Sequence, residues 1–241
     1  HTTDGTRHGY LLTYAPGLDP NNPPGPTAFV RDRMLPEIRR TLQDRYREPI
    51  FDYGNIDTPL APESWDTYAP LGWYGVNYVG LRGRIGILSE AYSHADFRTR
   101  IQVTHDFVVE VLNYAAAHAE EIRRLEREAD RQTTLEGAGL APRPNLAVQY
   151  RMASRGVEPV TEYVRGRPRL TPTGTFRAVR IPVNDRFVDS LSQPLPAGYF
   201  LPASAANVAA SLRLHGIEVQ RLGAAWTDSI ETLARMQLAW S

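Results

Sequence analysis

The chain contains no cysteine, which excludes disulfides, thiolate nucleophiles and thiolate metal ligands. A metal would therefore have to be held by His, Asp or Glu. Missing cysteine does not fix the compartment, since exported proteins can lack it too. Net charge is also absent: 27 basic residues balance 27 acidic ones, so no broad basic field exists to draw in nucleic acid or an anionic membrane. Lysine does not occur, every basic residue being arginine, a bias that codon usage explains more simply than function. Although 42% of the residues are apolar, no run approaches the roughly eighteen consecutive apolar residues of a membrane span. Neither nucleic acid nor a membrane span is expected as a partner. At 241 residues the chain is long enough to bury a sizeable core, in one domain or two.

Proline, glycine and asparagine crowd residues 15–26, "APGLDPNNPPGP", which predicts a surface loop with Thr27 capping the helix that follows. Between 28 and 47, Val30, Met34, Leu35, Ile38, Leu42 and Tyr46 recur at three- and four-residue spacing, and Pro36 should kink or split that helix. Residues 52–80 carry many aromatics, prolines and glycines without a period, as long functional loops often do. "RIGILSE", 84–90, reads as a buried strand ending on Glu90, at the carboxyl end where open α/β sheets place their ligands. Asp96 then opens the strongest helix, with Phe97, Ile101, Val108, Leu112, Ala115, Ala119, Ile122 and Leu125 as one apolar stripe reaching about Asp130.

The stretch 133–145 turns to glycine, proline and alanine and reads as a linker. Beyond it, "LAVQYRM", "EPVTEYVRG" and "TFRAVRIPV" predict short strands joined by turns. "GYFLPASAANVAASLRLHGIEVQRL" predicts strand, helix, strand, with Ser204 capping the helix and Gly216 ending it.

Six histidines occur: His1, His8, His94, His105, His118 and His215. Two stand in His-x-x-Glu pairs, His118 with Glu121 and His215 with Glu218, a spacing that can bring imidazole and carboxylate to one helical face. The first pair has no third ligand nearby in sequence, and Gly216 breaks the face of the second, so both read as structural. Asp4, three residues after His1, turns the backbone more simply than it ligates a metal. For Arg82 and Arg84, ion pairing with nearby carboxylates is the simpler role. For Trp65 and Trp73 it is packing of the long loop.

Three blocks carry a resemblance: "HTTDGTRHGYLLTYAPGLDPN", "NYVGLRGRIGILSEAYSHADFRTRI" and "VTHDFVVEVLNYAAAHAEEIRRL". In order and spacing, over roughly residues 1–130, they resemble the C-terminal half of an M14-type zinc carboxypeptidase domain of the large bacterial branch. The resemblance implies an α/β fold: the C-terminal part of a three-layer α/β/α domain over 1–132, a linker at 133–145, and a smaller appended α+β domain over 146–241. It also implies a secreted or periplasmic location and a peptide or peptide-like substrate.

In that family a His-x-x-Glu motif and a later histidine hold one zinc ion, and His1 matches the later histidine. Glu90, in "GILSEAYS", matches the glutamate that serves as general base and acid. The implied reaction is peptide-bond hydrolysis, Glu90 taking a proton from the water that zinc activates and passing it to the leaving amine. The His-x-x-Glu ligands and the groups that grip the substrate's terminal carboxylate belong upstream of His1. The resemblance thus implies a fragment that on its own does not bind zinc tightly. The substrate-capping tyrosine falls among Tyr68, Tyr74 and Tyr78, with Tyr74 and Tyr78 taken as substrate-binding and Tyr74 preferred. Two further readings stay open: a zinc amidohydrolase of the same fold acting on peptidoglycan or N-acyl amino acids, and a non-catalytic binding module whose zinc site has lapsed.

Overall fold

The computed structural model describes residues 2–3, 8–56, 63–165, 172–224 and 227. With about 41% helix and 29% strand in mixed sheets, this is a mixed α/β chain. It divides into two compact units, His1–Ala197 and Gly198–Ser241.

In the first unit, β1 (Thr2–Thr3), β2 (Leu12–Pro16), β3 (Ile50–Asp52) and β6 (Ile87–Tyr92) form one sheet in the order β1-β6-β2-β3. β1 runs parallel to β6, β6 antiparallel to β2, and β2 parallel to β3. Side chains alternate between the faces of a strand, and β2 shows it: Leu12 and Tyr14 enter one core, while Thr13 between them points to the opposite face. The first core joins Leu12, Tyr14 and Ile50 to a helical layer that supplies Phe29, Val30, Met34, Leu35, Ile38, Val103 and Phe107.

That layer begins with α1 (Pro24–Ala28), a π-helical stretch (Phe29–Met34), α2 (Leu35–Thr41) and a second π-helical stretch (Leu42–Tyr46). Pro36 sits in the second position of α2, directly after the π-helical stretch, so the change of winding falls where its missing N–H leaves a gap in the helical bonding. Thr27 does not cap. The helix starts at Pro24, and the Thr27 hydroxyl donates back to the Pro23 carbonyl at 2.8 Å.

α4 (Phe97–Ala117) opens as its sequence predicts, with the Asp96 carboxylate accepting from the Thr99 N–H at 3.1 Å. Its buried side differs from the expected stripe. Val103 and Phe107 are buried, whereas Phe97, Ile101, Val108 and Leu112 are exposed. The helix carries two apolar faces, and periodicity alone selected the longer one. It breaks at His118, whose Nδ1 bonds the Tyr114 carbonyl at 3.0 Å while its ring stacks on Tyr114. α5 (Ala119–Gly137) follows, packing Ile122 and Leu125 against the first core. Glu121, the acid of the first His-x-x-Glu pair, is bound instead to Arg33 at 2.6 Å.

The second sheet has the order β4-β5-β8-β7, from β4 (Asn55–Ile56), β5 (Trp65–Asp66), β7 (Asn145–Arg165) and β8 (Pro172–Pro194). The short strands expected after residue 145 are thus two long ones in a single hairpin. Gly156, with φ +131°, sits where the pairing register shifts between Ser154 and Val157, so a bulge had the look of a turn. The hairpin also belongs to the first unit. Val160, Ile181 and Val183 share a second core with Tyr10, Phe51, Ile56 and Trp65, on the sheet face opposite the helices. Arg155 ties the two sheets together, reaching Asp52 at 2.8 Å, Glu158 at 2.8 Å and Asp185 at 2.6 Å. The units therefore divide at Ala197/Gly198 and not across 133–145, because the hairpin's apolar side has its partner in the first sheet.

In the second unit, α6 (Ala206–Leu214) is the predicted helix. Its flanks, 198–202 and 217–222, are not strands. A short 3₁₀ turn, Ala203–Ala205, precedes it, so Ser204 lies within that turn and does not cap α6. Gly216, at φ +73°, closes the helix in the left-handed conformation that glycine adopts freely.

Candidate functional site

Glu90 lies on β6, directly across from Thr13 of β2, which in turn pairs with Phe51 of β3. Cross-strand partners share a face, so Glu90 projects on the side away from the helical layer. The strand runs on for two residues past it, to Tyr92, rather than ending on the carboxylate. Glu90 is half-buried, and burial pushes its pKa above the usual glutamate value.

Two tyrosines, Tyr53 and Tyr68, feel its charge, and a third, Tyr74, packs on the second. Tyr53 directly follows β3, Tyr68 follows β5, and Tyr74 immediately precedes α3 (Gly75–Leu81). Their rings meet edge-on in series: Tyr53 to Tyr68 at 5.2 Å and 83°, Tyr68 to Tyr74 at 5.3 Å and 87°. Burial raises the pKa values of Tyr53 and Tyr68, and the Glu90 charge raises both further. Both phenols thus stay protonated as donors at neutral pH. The Tyr68 hydroxyl is buried without a hydrogen-bond partner, as is the Thr13 hydroxyl. Buried polar groups without partners are uncommon; of these two, Thr13 is the cross-strand partner of Glu90 and Tyr68 feels its charge.

A second cluster lies farther along β6. His8 is fully buried, ringed by Tyr92 at 4.7 Å, Tyr10 at 5.6 Å and Trp65 at 5.7 Å. Its Nδ1 accepts the Tyr10 backbone N–H at 3.2 Å, which assigns the ring proton to Nε2, a buried atom with no partner. Burial lowers its pKa to about 3. A neutral imidazole in an aromatic box is a packing element tied to β7, since His8 bridges Glu162 and the Gly9 N–H donates to the Thr161 carbonyl at 2.7 Å.

Of the residues singled out in the sequence, Tyr74 packs edge-on against Tyr68, whose phenol feels the Glu90 charge. Tyr78 sits one helical turn beyond Tyr74 on α3, exposed to solvent. His1 lies outside the described residues; its chain neighbours Thr2 and Thr3 pair in parallel with Ala91 and Tyr92. Among the described residues, no group of three or more His, Asp or Glu is arranged to hold a metal ion, and no helix is long and apolar enough to cross a membrane. Arg84 forms the expected ion pair, with Asp130 at 2.8 Å. Trp65 is fully buried, but Trp73 is 70% exposed and so does not pack the loop. Tyr53 and Thr13 were missed by sequence reasoning. The available signal for Tyr53 was its place at the carboxyl end of a short apolar strand.

Comparison of the chain with protein-family models, with curated proteins and with solved structures yields no match.

Proposed function

We propose that the chain carries the general-base side of a zinc-dependent metallocarboxypeptidase, within an α/β domain of a secreted or periplasmic enzyme. The observation that carries this reading is the parallel pairing of Thr2 with Ala91. It sets the strand that follows His1 in sequence beside the strand that bears Glu90.

His1 supplies one zinc ligand, and the other two come from a His-x-x-Glu motif upstream in the full-length protein. The donor chemistry fits: imidazole is a usual zinc ligand, and a carboxylate held out of the coordination set is free to move protons. Zinc, when bound, lowers the pKa of a water and polarises the scissile carbonyl. Glu90 takes the proton from the attacking water and later delivers it to the departing amine. Its half-buried setting favours this double duty, because a raised pKa brings acid and base forms closer in energy at neutral pH. The Tyr74 hydroxyl, on a ring open to solvent, donates a hydrogen bond to the substrate's polar groups.

The test is product analysis on the full-length protein. N-blocked peptides should lose their C-terminal amino acid, activity should disappear on metal removal, and stoichiometric zinc should restore it. Hydrolysis that survives chelation contradicts the zinc reading. Release of an acyl group or of a muramyl peptide, with the C-terminal residue retained, points instead to the amidohydrolase reaction.

A further inference from the structure

Thr13 is fully buried in the middle of β2, and its hydroxyl is enclosed without a hydrogen-bond partner. A buried hydroxyl left unpaired costs folding free energy. Valine has the same shape and the same preference for strands without that cost. The fold alone therefore does not account for a threonine at this position.

Its neighbours narrow what the hydroxyl can serve. Thr13 faces away from the helical layer that takes in Leu12 and Tyr14. On its own face, its register partners are Phe51 of β3 and Glu90 of β6. Phe51 belongs to the apolar second core and has no acceptor to offer, whereas each Glu90 carboxylate oxygen can accept. Side chains opposed across antiparallel strands have Cβ atoms about 4.5–5.5 Å apart, so a change of rotamer at Glu90 is enough to carry an oxygen to the hydroxyl. Thr13, β-branched and enclosed, is the fixed member of the pair.

We infer that Thr13 is a positioning residue for Glu90: its hydroxyl donates to one carboxylate oxygen and leaves the other turned toward the attacking water. The inference rests on the peptidase reading above. Hydrogen bonds among catalytic groups often tighten only when the site is fully assembled, and the enclosed Thr13 hydroxyl is a donor held ready for that moment. Fixing one oxygen limits the orientations open to the base, which raises the rate of proton transfer without touching the substrate.

Variants of the full-length protein test it. Thr13→Val should lower kcat for release of the C-terminal residue of an N-blocked peptide by about ten- to a hundredfold, the worth of one hydrogen bond to a charged acceptor, with KM nearly unchanged. Its urea midpoint should hold or rise, because an unpaired buried hydroxyl has gone. Thr13→Ser keeps the hydroxyl and should restore most of kcat. Added to Glu90→Gln, Thr13→Val should cost nothing further, since no base remains to be aimed. A parental kcat in Thr13→Val, a lower urea midpoint, a loss shared equally by Thr13→Ser or carried by KM, or the same loss in the Glu90→Gln background overturns the inference. Failure to hydrolyse any peptide removes the peptidase reading instead, and a crystal structure of the full-length protein then decides the contact by itself. A Thr13 hydroxyl within about 3.0 Å of a Glu90 carboxylate oxygen upholds it, and a separation beyond about 3.5 Å overturns it.

Discussion

Replacing Glu90 by Gln in the full-length protein is expected to lower kcat/KM for peptide hydrolysis by about 10²- to 10⁴-fold, the range that general acid–base groups contribute. The change keeps the size of the side chain and its hydrogen-bonding capacity while removing its ability to take a proton. Since Glu90 lies half-buried on the face away from the helical core, folding should be little disturbed. A second signature follows from its environment. Burial raises the Glu90 pKa above 4.5, and a base works only when deprotonated. Activity should therefore fall with decreasing pH at a point above the ordinary glutamate value, and the residual Glu90→Gln activity should lack that acid limb. Steady-state rates of amino-acid release across pH 4–8 check both. Undiminished hydrolysis in the variant would remove Glu90 from the mechanism.

His8 should make the folded chain sensitive to acid. In the native state it is buried and neutral, with a pKa near 3 against 6.5 when free. Between those values the unfolded chain binds a proton that the native chain does not, so stability rises with pH across that window and is lost as pH falls through it. The slope approaches ~1.4 kcal/mol per pH unit, and the whole effect is on the order of 5 kcal/mol. The groups facing His8 do not offset this. Tyr10, Trp65 and the β6 residue Tyr92 surround the ring, His94 adds positive charge when protonated, and Glu162 of β7, across the bridge, is engaged by Arg177. His8→Phe removes both the titrating group and an unsatisfied N–H. Urea denaturation at pH 7, 5.5 and 4.5 should show the parent losing stability faster than the variant. Parallel losses would mean that His8 is not buried neutral.

The sequence made some of this legible and misled elsewhere for identifiable reasons. Asp96 announced its helix because a capping carboxylate is a local device that reads the same in sequence and in structure. The strand bearing Glu90 was visible from its apolar run, although its end was not, since Ala91 and Tyr92 continue the pairing with β1 and β2. The long hairpin was unreadable as one unit because Gly156 interrupts it, and because its partner, the aromatic face built on Tyr10, Phe51 and Trp65, comes from segments far away in the chain. The same distance hid Tyr53, which joins Tyr68 and Tyr74 only after β3 and β5 are in place. Trp73 misled in the opposite direction: composition alone puts a tryptophan in a core, and only the fold shows it left outside.

The central claim is that Glu90 serves a zinc ion held in part by His1, and diffraction from zinc-loaded full-length protein at the zinc absorption edge tests it most directly. The account predicts one anomalous peak at the His1 imidazole, with a His and a Glu from upstream completing the ligand set. A zinc ion bound without His1, or no zinc bound at all, would contradict it.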